Sequence, residues 1–179
     1  TSREPRAVTR TIADGAKGPA PHYDLIDQTA FDLQAAYGDW LWKLEAMTRH
    51  GHGERFAAFV GGFEYTVTGV AGTRMDLGVL AEDLHDGRDA TAPATLFDDD
   101  LFFGLRLAVN DAQSTEVLAG VVKDLGDNGH LFFVEASRRL GDAWKAEFEL
   151  RTADALPSNN TFQPLRRDDF VQVGLTFYF

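Results

Sequence analysis

From Trp144 to Arg151 apolar and charged residues alternate without a break: Trp144, Ala146, Phe148 and Leu150 against Lys145, Glu147, Glu149 and Arg151. Successive side chains of an extended chain point to opposite faces, so this run predicts a strand with one apolar and one fully charged face. A helix would mix the two sets around its circumference. The same period recurs along the chain. Phe31, Leu33, Ala35 and Tyr37 alternate with Asp32, Gln34 and Ala36, and Trp42, Leu44 and Ala46 with Lys43 and Glu45. Phe59, Gly61, Phe63 and Tyr65 oppose Val60, Gly62 and Glu64, while Leu77, Val79 and Ala81 oppose Asp76, Gly78 and Glu82. Phe103 to Val109 opposes Gly104, Arg106, Ala108 and Asn110, and Val117 to Val121 opposes Glu116, Gly120 and Asp124. Phe132, Val134 and Ala136 oppose Glu135, Ser137 and Arg139, and a last run covers Val171, Val173, Leu175, Phe177 and Phe179. These runs predict about nine strands and no helix of useful length.

The connections alternate in length. Gly38 with Asp39 is a hairpin signal, and Val70 to Thr73, Asn110 to Thr115 and Leu140 to Ala143 are similarly short. Leu84 to Asp100 and Thr152 to Asp169 are long and polar, with shorter connections at His50 to Glu54 and Gly126 to His130. The predicted fold is an all-β, antiparallel up-and-down sheet over residues 29–179, preceded by an irregular segment, 1–28, that carries Pro5, Gly15, Gly18, Pro19 and Pro21.

Composition narrows the function classes. The 179 residues carry a formal net charge of -11, which argues against the clustered Lys and Arg of a phosphate-binding surface, so no nucleic-acid partner is expected. Cysteine is absent, which removes disulfides, thiol catalysis and cysteine metal sites. No run approaches the roughly 18 apolar residues of a membrane helix, although a barrel strand crosses with alternate apolar residues over about ten positions.

The last ten residues, Phe170 to Phe179, place Val173, Leu175, Phe177 and Phe179 at alternate positions and end on Phe. This segment resembles the terminal strand of Gram-negative outer-membrane β-barrel proteins of the porin-like kind. The resemblance implies a transmembrane β-barrel in the bacterial outer membrane. Its partners would be outer-membrane lipid and lipopolysaccharide, the barrel assembly machinery that reads those four residues, and further copies of the chain in an oligomer. It also puts Phe179 at the periplasmic rim, with the short turns on that side and the long connections outside. Tyr37, Trp40, Trp42 and Trp144 flank short turns and are expected to form an aromatic belt at that interface. Nine strands ending in the periplasm leave residues 1–28 outside, and the even strand number of bacterial barrels then calls for at least one strand before Thr1. The chain is therefore expected to be the C-terminal part of a larger barrel, completed by an N-terminal barrel segment or a partner chain; the alternative is a tenth strand near Ala7 to Ile12.

With the apolar face given to lipid, the other face lines a lumen. Lys43, Glu45, Glu64, Glu82, Arg106, Glu135, Arg139, Glu147, Glu149 and Arg151 are the expected lining residues. In a wide barrel they would guide small polar solutes, with a mild preference for cations; in a narrow one they would pair and fill the interior as a structural or anchoring barrel. A soluble lipocalin-like barrel would reverse the faces. Catalysis is not expected. Ser114, Ser137 and Ser158 lie in no nucleophile elbow, and His130 stands seven positions from Ser137, too far for contact in an extended chain. No metal or other cofactor is expected either: His50 and His52 lack a third ligand, Asp98, Asp99 and Asp100 read as a solvated loop run, and Asn159, Asn160 and Thr161 form a sequon without meaning in a bacterial protein.

Overall fold

A computed structural model of the chain describes residues 2–11, 17–51, 53–89, 92–93, 95, 97–126, 129–154 and 169–179, with only the backbone for residues 2–7 and 9. His52, Ser158 and the sequon at 159–161 lie outside the described residues. Ten strands follow in chain order: β1 Ser2–Thr11, β2 Lys17–Tyr37, β3 Trp40–His50, β4 Phe56–Val67, β5 Asp76–Asp86, β6 Asp99–Ala108, β7 Glu116–Asp124, β8 His130–Leu140, β9 Trp144–Asp154 and β10 Phe170–Phe177. Each pairs antiparallel with its neighbours in sequence, giving one meander in the order β1 to β10. Apart from β2, with 21 residues, and β1, the strands run 8 to 12 residues. The nine alternating runs of the sequence correspond to β2 from Asp27 onward through β10.

Among the described residues the all-β, antiparallel up-and-down sheet is an open one. Among the described residues, the 27–37 part of β2 pairs only with β3, and β10 pairs only with β9. Between β2 and β10 the chain reverses eight times, so both edge strands run toward the short-turn end and could meet only as a parallel pair.

A correction concerns residues 1–28. Instead of an irregular segment, Ser2–Thr11 and Lys17–Ile26 form a regular antiparallel hairpin, from Ser2 opposite Ile26 to Thr11 opposite Lys17. A tenth strand, the alternative near Ala7 to Ile12, is thus present as β1, Ser2–Thr11; among the described side chains of the arm Tyr23 and Leu25 are exposed and Ile26 at its base is buried.

Register carries the face pattern around the sheet. One line of directly paired residues runs Tyr37, Trp40, Tyr65, Val79, Leu105, Ala119, Val134, Leu150, Val171, apolar or aromatic at every step. Within strand residues 27–177 the exposed large hydrophobics all stand on this face, Phe170 alone excepted, whereas the buried side chains Phe56, Glu64, Leu80, Asp100 and Val122 stand on the charged one. The exposed large hydrophobics are thus collected on one face, and the few buried side chains, Glu64 and Asp100 among them, on the other.

The turns are fixed locally. In the β2–β3 hairpin Gly38 takes φ 59, and the β8–β9 turn uses Gly141 at φ 66. Between β6 and β7, Asp111 accepts the Thr115 N–H and hydroxyl at 2.8 Å each. These hydrogen bonds, with Arg138 3.7 Å away, hold its carboxyl below the usual carboxylate range. A depressed folded-state pKa stabilises the turn fully above the unfolded value near 3.8 and ceases to do so as pH falls through the folded value. Amide exchange at Thr115, corrected for intrinsic rate, should accordingly be flat from neutral pH down to about 5 and rise only in stronger acid; a rise near neutrality would contradict this account. Gly62 is a separate constraint: a Cβ there would collide with the Ala81 carbonyl oxygen and lie 2.7 Å from the Glu82 Cα. Gly62→Ala should destabilise the folded sheet by about 1–3 kcal/mol in urea titration followed by tryptophan fluorescence.

Candidate functional site

The charged face is the candidate site, and each of its residues is placed by strand parity. Lys43 and Glu45 come from β3, Glu64 from β4, Glu82 from β5, Arg106 from β6, Glu135 and Arg139 from β8, and Glu147, Glu149 and Arg151 from β9. The cross-strand registers put all ten on one side of the sheet.

Two regions differ in packing. Over β3 to β6 the charges pair across an intervening strand. Arg106 donates to Glu64 across β5, where Gly78 lies between them; a Cβ on Gly78 would sit 2.7 Å from Glu64 Oε1. Glu64 is 7% exposed, so its charge is largely out of water and depends on that guanidinium. Lys43 reaches Glu82 at 3.6 Å across Gly62. Toward the loop end, the Phe102 and Phe133 rings stack at 5.9 Å over Gly120, where a Cβ would lie 2.5 Å from one ring and 2.8 Å from the other. Glycines on four successive strands, Gly62, Gly78, Gly104 and Gly120, thus make the space that pairs and rings occupy.

Over β6 to β10 the face is more open. A groove of about 540 Å³ is lined by Arg106, Glu116, Glu135, Lys145, Glu147 and Glu149 among others. Its ion pairs are solvated: Arg151 contacts Glu149 at 2.6 Å and Glu135 at 3.5 Å, and Lys145 contacts Glu147 at 2.7 Å, with most of these side chains a third to a half exposed. Such pairs contribute little to stability and leave their charges available to solutes. Four glutamates against Arg106 and Lys145 make the groove acidic. The remaining expected lining residues stand apart. Arg139 lies 6.0 Å from the Tyr178 ring centroid near the short-turn end. Glu45 sits opposite Asp32 in a second cavity of about 550 Å³, which Phe97 of the 87–98 connection helps to line.

On the apolar face, Tyr37, Trp40, Trp42 and Trp144 gather at the short-turn end. Trp40 stacks on Trp42 at 5.4 Å and contacts Tyr65 at 4.7 Å, and Trp144 contacts Phe177 at 4.8 Å. Val173, Leu175 and Phe177 belong to the same face of β10, and Phe179 follows beyond its end. Ser137 stands on the charged face opposite Glu147, while His130 is on the apolar one. Among the described residues no group of three His, Asp or Glu is placed to hold a metal ion.

The glycine set and the Phe102–Phe133 stack were not singled out from sequence. Recurrence of Gly on the polar side of four consecutive strands was the available signal, but alternation distinguishes only apolar from polar. No family model, no curated protein and no solved structure matches this chain. Its site is thus read from its own geometry.

The test of the packed region is Arg106. Arg106→Ala should leave Glu64 charged and enclosed without its partner, costing about 1–3 kcal/mol of stability at neutral pH. Adding Glu64→Gln should recover much of that loss. Equal stability of the single and wild-type proteins in urea titration would show that the pair is idle.

Proposed function

We propose that this chain forms part of a transmembrane β-barrel of the bacterial outer membrane, whose charged face lines a porin-like passage for small polar solutes, cations in preference. The observation that carries this reading is the inverted distribution of residues. A continuous apolar row crosses nine strands on the exposed face, while Glu64 and Asp100 are buried on the other. An apolar surface of this extent is unfavourable in water and favourable against hydrocarbon. Strands of 8 to 12 residues suit the hydrocarbon thickness when tilted. The stacked Trp40 and Trp42, with Trp144, suit a headgroup belt at the short-turn rim. The terminal strand ending in Phe177 and Phe179 suits the assembly signal that its resemblance implies. A lipocalin-like protein would need the opposite faces.

The acidic groove over β6 to β10 supports solute passage. The Glu64–Arg106 pair and the Phe102–Phe133 stack favour a second reading, a structural barrel whose interior is filled. Planar-bilayer recording on the full-length polypeptide purified from membranes separates the two. A passage gives discrete current steps and a reversal potential displaced toward cation selectivity in a salt gradient. Replacing Glu116, Glu135, Glu147 and Glu149 together by Gln should move that selectivity toward neutrality. A silent bilayer, with insertion verified by quenching of the tryptophans by brominated lipid, would leave the filled barrel.

A further inference from the structure

The registers of β2 to β5 line up Asp32, Glu45, Val60 and Leu84 as one cross-strand row on the charged face. Two carboxylates thus stand directly opposite each other at one end of the row, and two aliphatic side chains at the other. Toward the loop end, Met47 adds a third apolar side chain to the same face of β3. Phe97, carried in by the 87–98 connection, completes the apolar wall of a cavity of about 550 Å³. Small-molecule sites commonly enclose roughly 300–1,000 Å³.

The connection is fastened on both sides of Phe97. Gly87 N–H donates to the Ala57 carbonyl at 2.9 Å, and Asp86 N–H to the Asp98 carbonyl at 2.7 Å. The Arg88 guanidinium donates through Nε to Asp86 at 2.8 Å and through Nη1 to the Pro93 carbonyl at 3.0 Å. Asp86, which also lines the cavity, therefore has its cation already. Asp32 and Glu45 do not: among the described residues neither forms an ion pair or a hydrogen bond through its side chain. The cations that flank Glu45 on the same face of β3 are engaged elsewhere, Lys43 with Glu82 at 3.6 Å and Arg49 with Gln28 at 2.8 Å. Like charges directly opposite on paired strands are unfavourable, and both carboxylates are exposed, so a dissolved cation can reach them.

We infer that this cavity is a binding site for an organic cation with an apolar body, its ammonium held between Asp32 and Glu45 and its body lying along Val60, Leu84, Met47 and Phe97. Each part of such a ligand complements one part of the cavity. The ammonium supplies N–H donors to both carboxylates and relieves their repulsion. The body takes the apolar wall out of water, which an inorganic cation cannot do. Strand spacing sets the length, since two spacings separate Glu45 from Leu84, about 10 Å, the reach of an aryl group on a four-carbon amine. The acidic groove over β6 to β10 differs, because Lys145 and Arg151 already contact three of its glutamates. The inference goes beyond the passage reading and does not rest on it: the cavity is present whether or not the lumen conducts.

The experiment is calorimetric titration of 4-phenylbutylamine at neutral pH into the full-length polypeptide purified from membranes, with protein-free detergent as the blank. The uncharged control is 4-phenylbutanol. The amine should bind saturably at one site per chain, and the alcohol about tenfold more weakly. Asp32→Asn combined with Glu45→Gln should weaken the amine by about tenfold and leave the alcohol unchanged. Both side chains are exposed and keep their shape in this variant, and urea titration followed by tryptophan fluorescence verifies its fold. Phe97→Ala should weaken both compounds by about fivefold. No saturable binding of the amine, equal affinity for amine and alcohol, or an amine affinity untouched by the double substitution would each overturn the inference. Current steps in a bilayer together with any of these results would leave the passage and remove the site.

Discussion

Cross-strand register is the constraint on which the rest of this structure depends. A slip of one residue between any two neighbours would exchange the faces of everything beyond it. Because no slip occurs from β2 to β10, apolar residues line up from Tyr37 to Val171, and the charged residues are collected on the other side. Among the described residues no second layer of strands or helices covers either face. The short turns help to hold this alignment: Gly38, Gly141 and the Asp111–Thr115 hydrogen bonds each set where the next strand begins.

Once the charges share a face, their energetics depend on how closely the neighbouring strands let them approach. Gly62 and Gly78 allow long side chains to cross an intervening strand and meet, as Lys43 does with Glu82 and Arg106 with Glu64. Over β8 to β10 the same residue types remain solvated, and their pairs are loose. A single face thus combines a packed region and an accessible one. The first stabilises the sheet, and the second is where a polar solute would find negative charge.

The apolar face has the complementary problem. Its aromatic residues pack on one another within the plane of the sheet, Trp40 against Trp42, Phe63 and Tyr65, and Trp144 against Phe177, yet the three tryptophans and Phe177 stay exposed. In-plane contacts of this kind cannot remove the outer surface from solvent; in the proposed outer-membrane setting, hydrocarbon would take the place of the second layer of a soluble sandwich.

Strand type, strand order and face were legible in the sequence, since period-two alternation is a local property and Trp144 to Arg151 or Phe31 to Tyr37 states it in a few residues. The ten lining residues could be assigned to one side for the same reason. Which of them meet could not, because Glu64 and Arg106 stand two strands apart, and their contact depends on the register of β5 and on the missing side chain at Gly78. The Phe102–Phe133 stack escaped notice because an apolar residue on the polar side reads as an irregularity until Gly120 is seen beneath it. The hairpin of β1 and β2 was legible only as the alternative of a tenth strand near Ala7 to Ile12, since no alternating apolar run marks residues 1–28 and the pairing is seen only in the register of β1 on β2. Local alternation therefore determined the two faces of this protein, whereas the pairing of charges, the bare edges and the arm were decided only where distant strands come together, because each depends on spacing that no single segment contains.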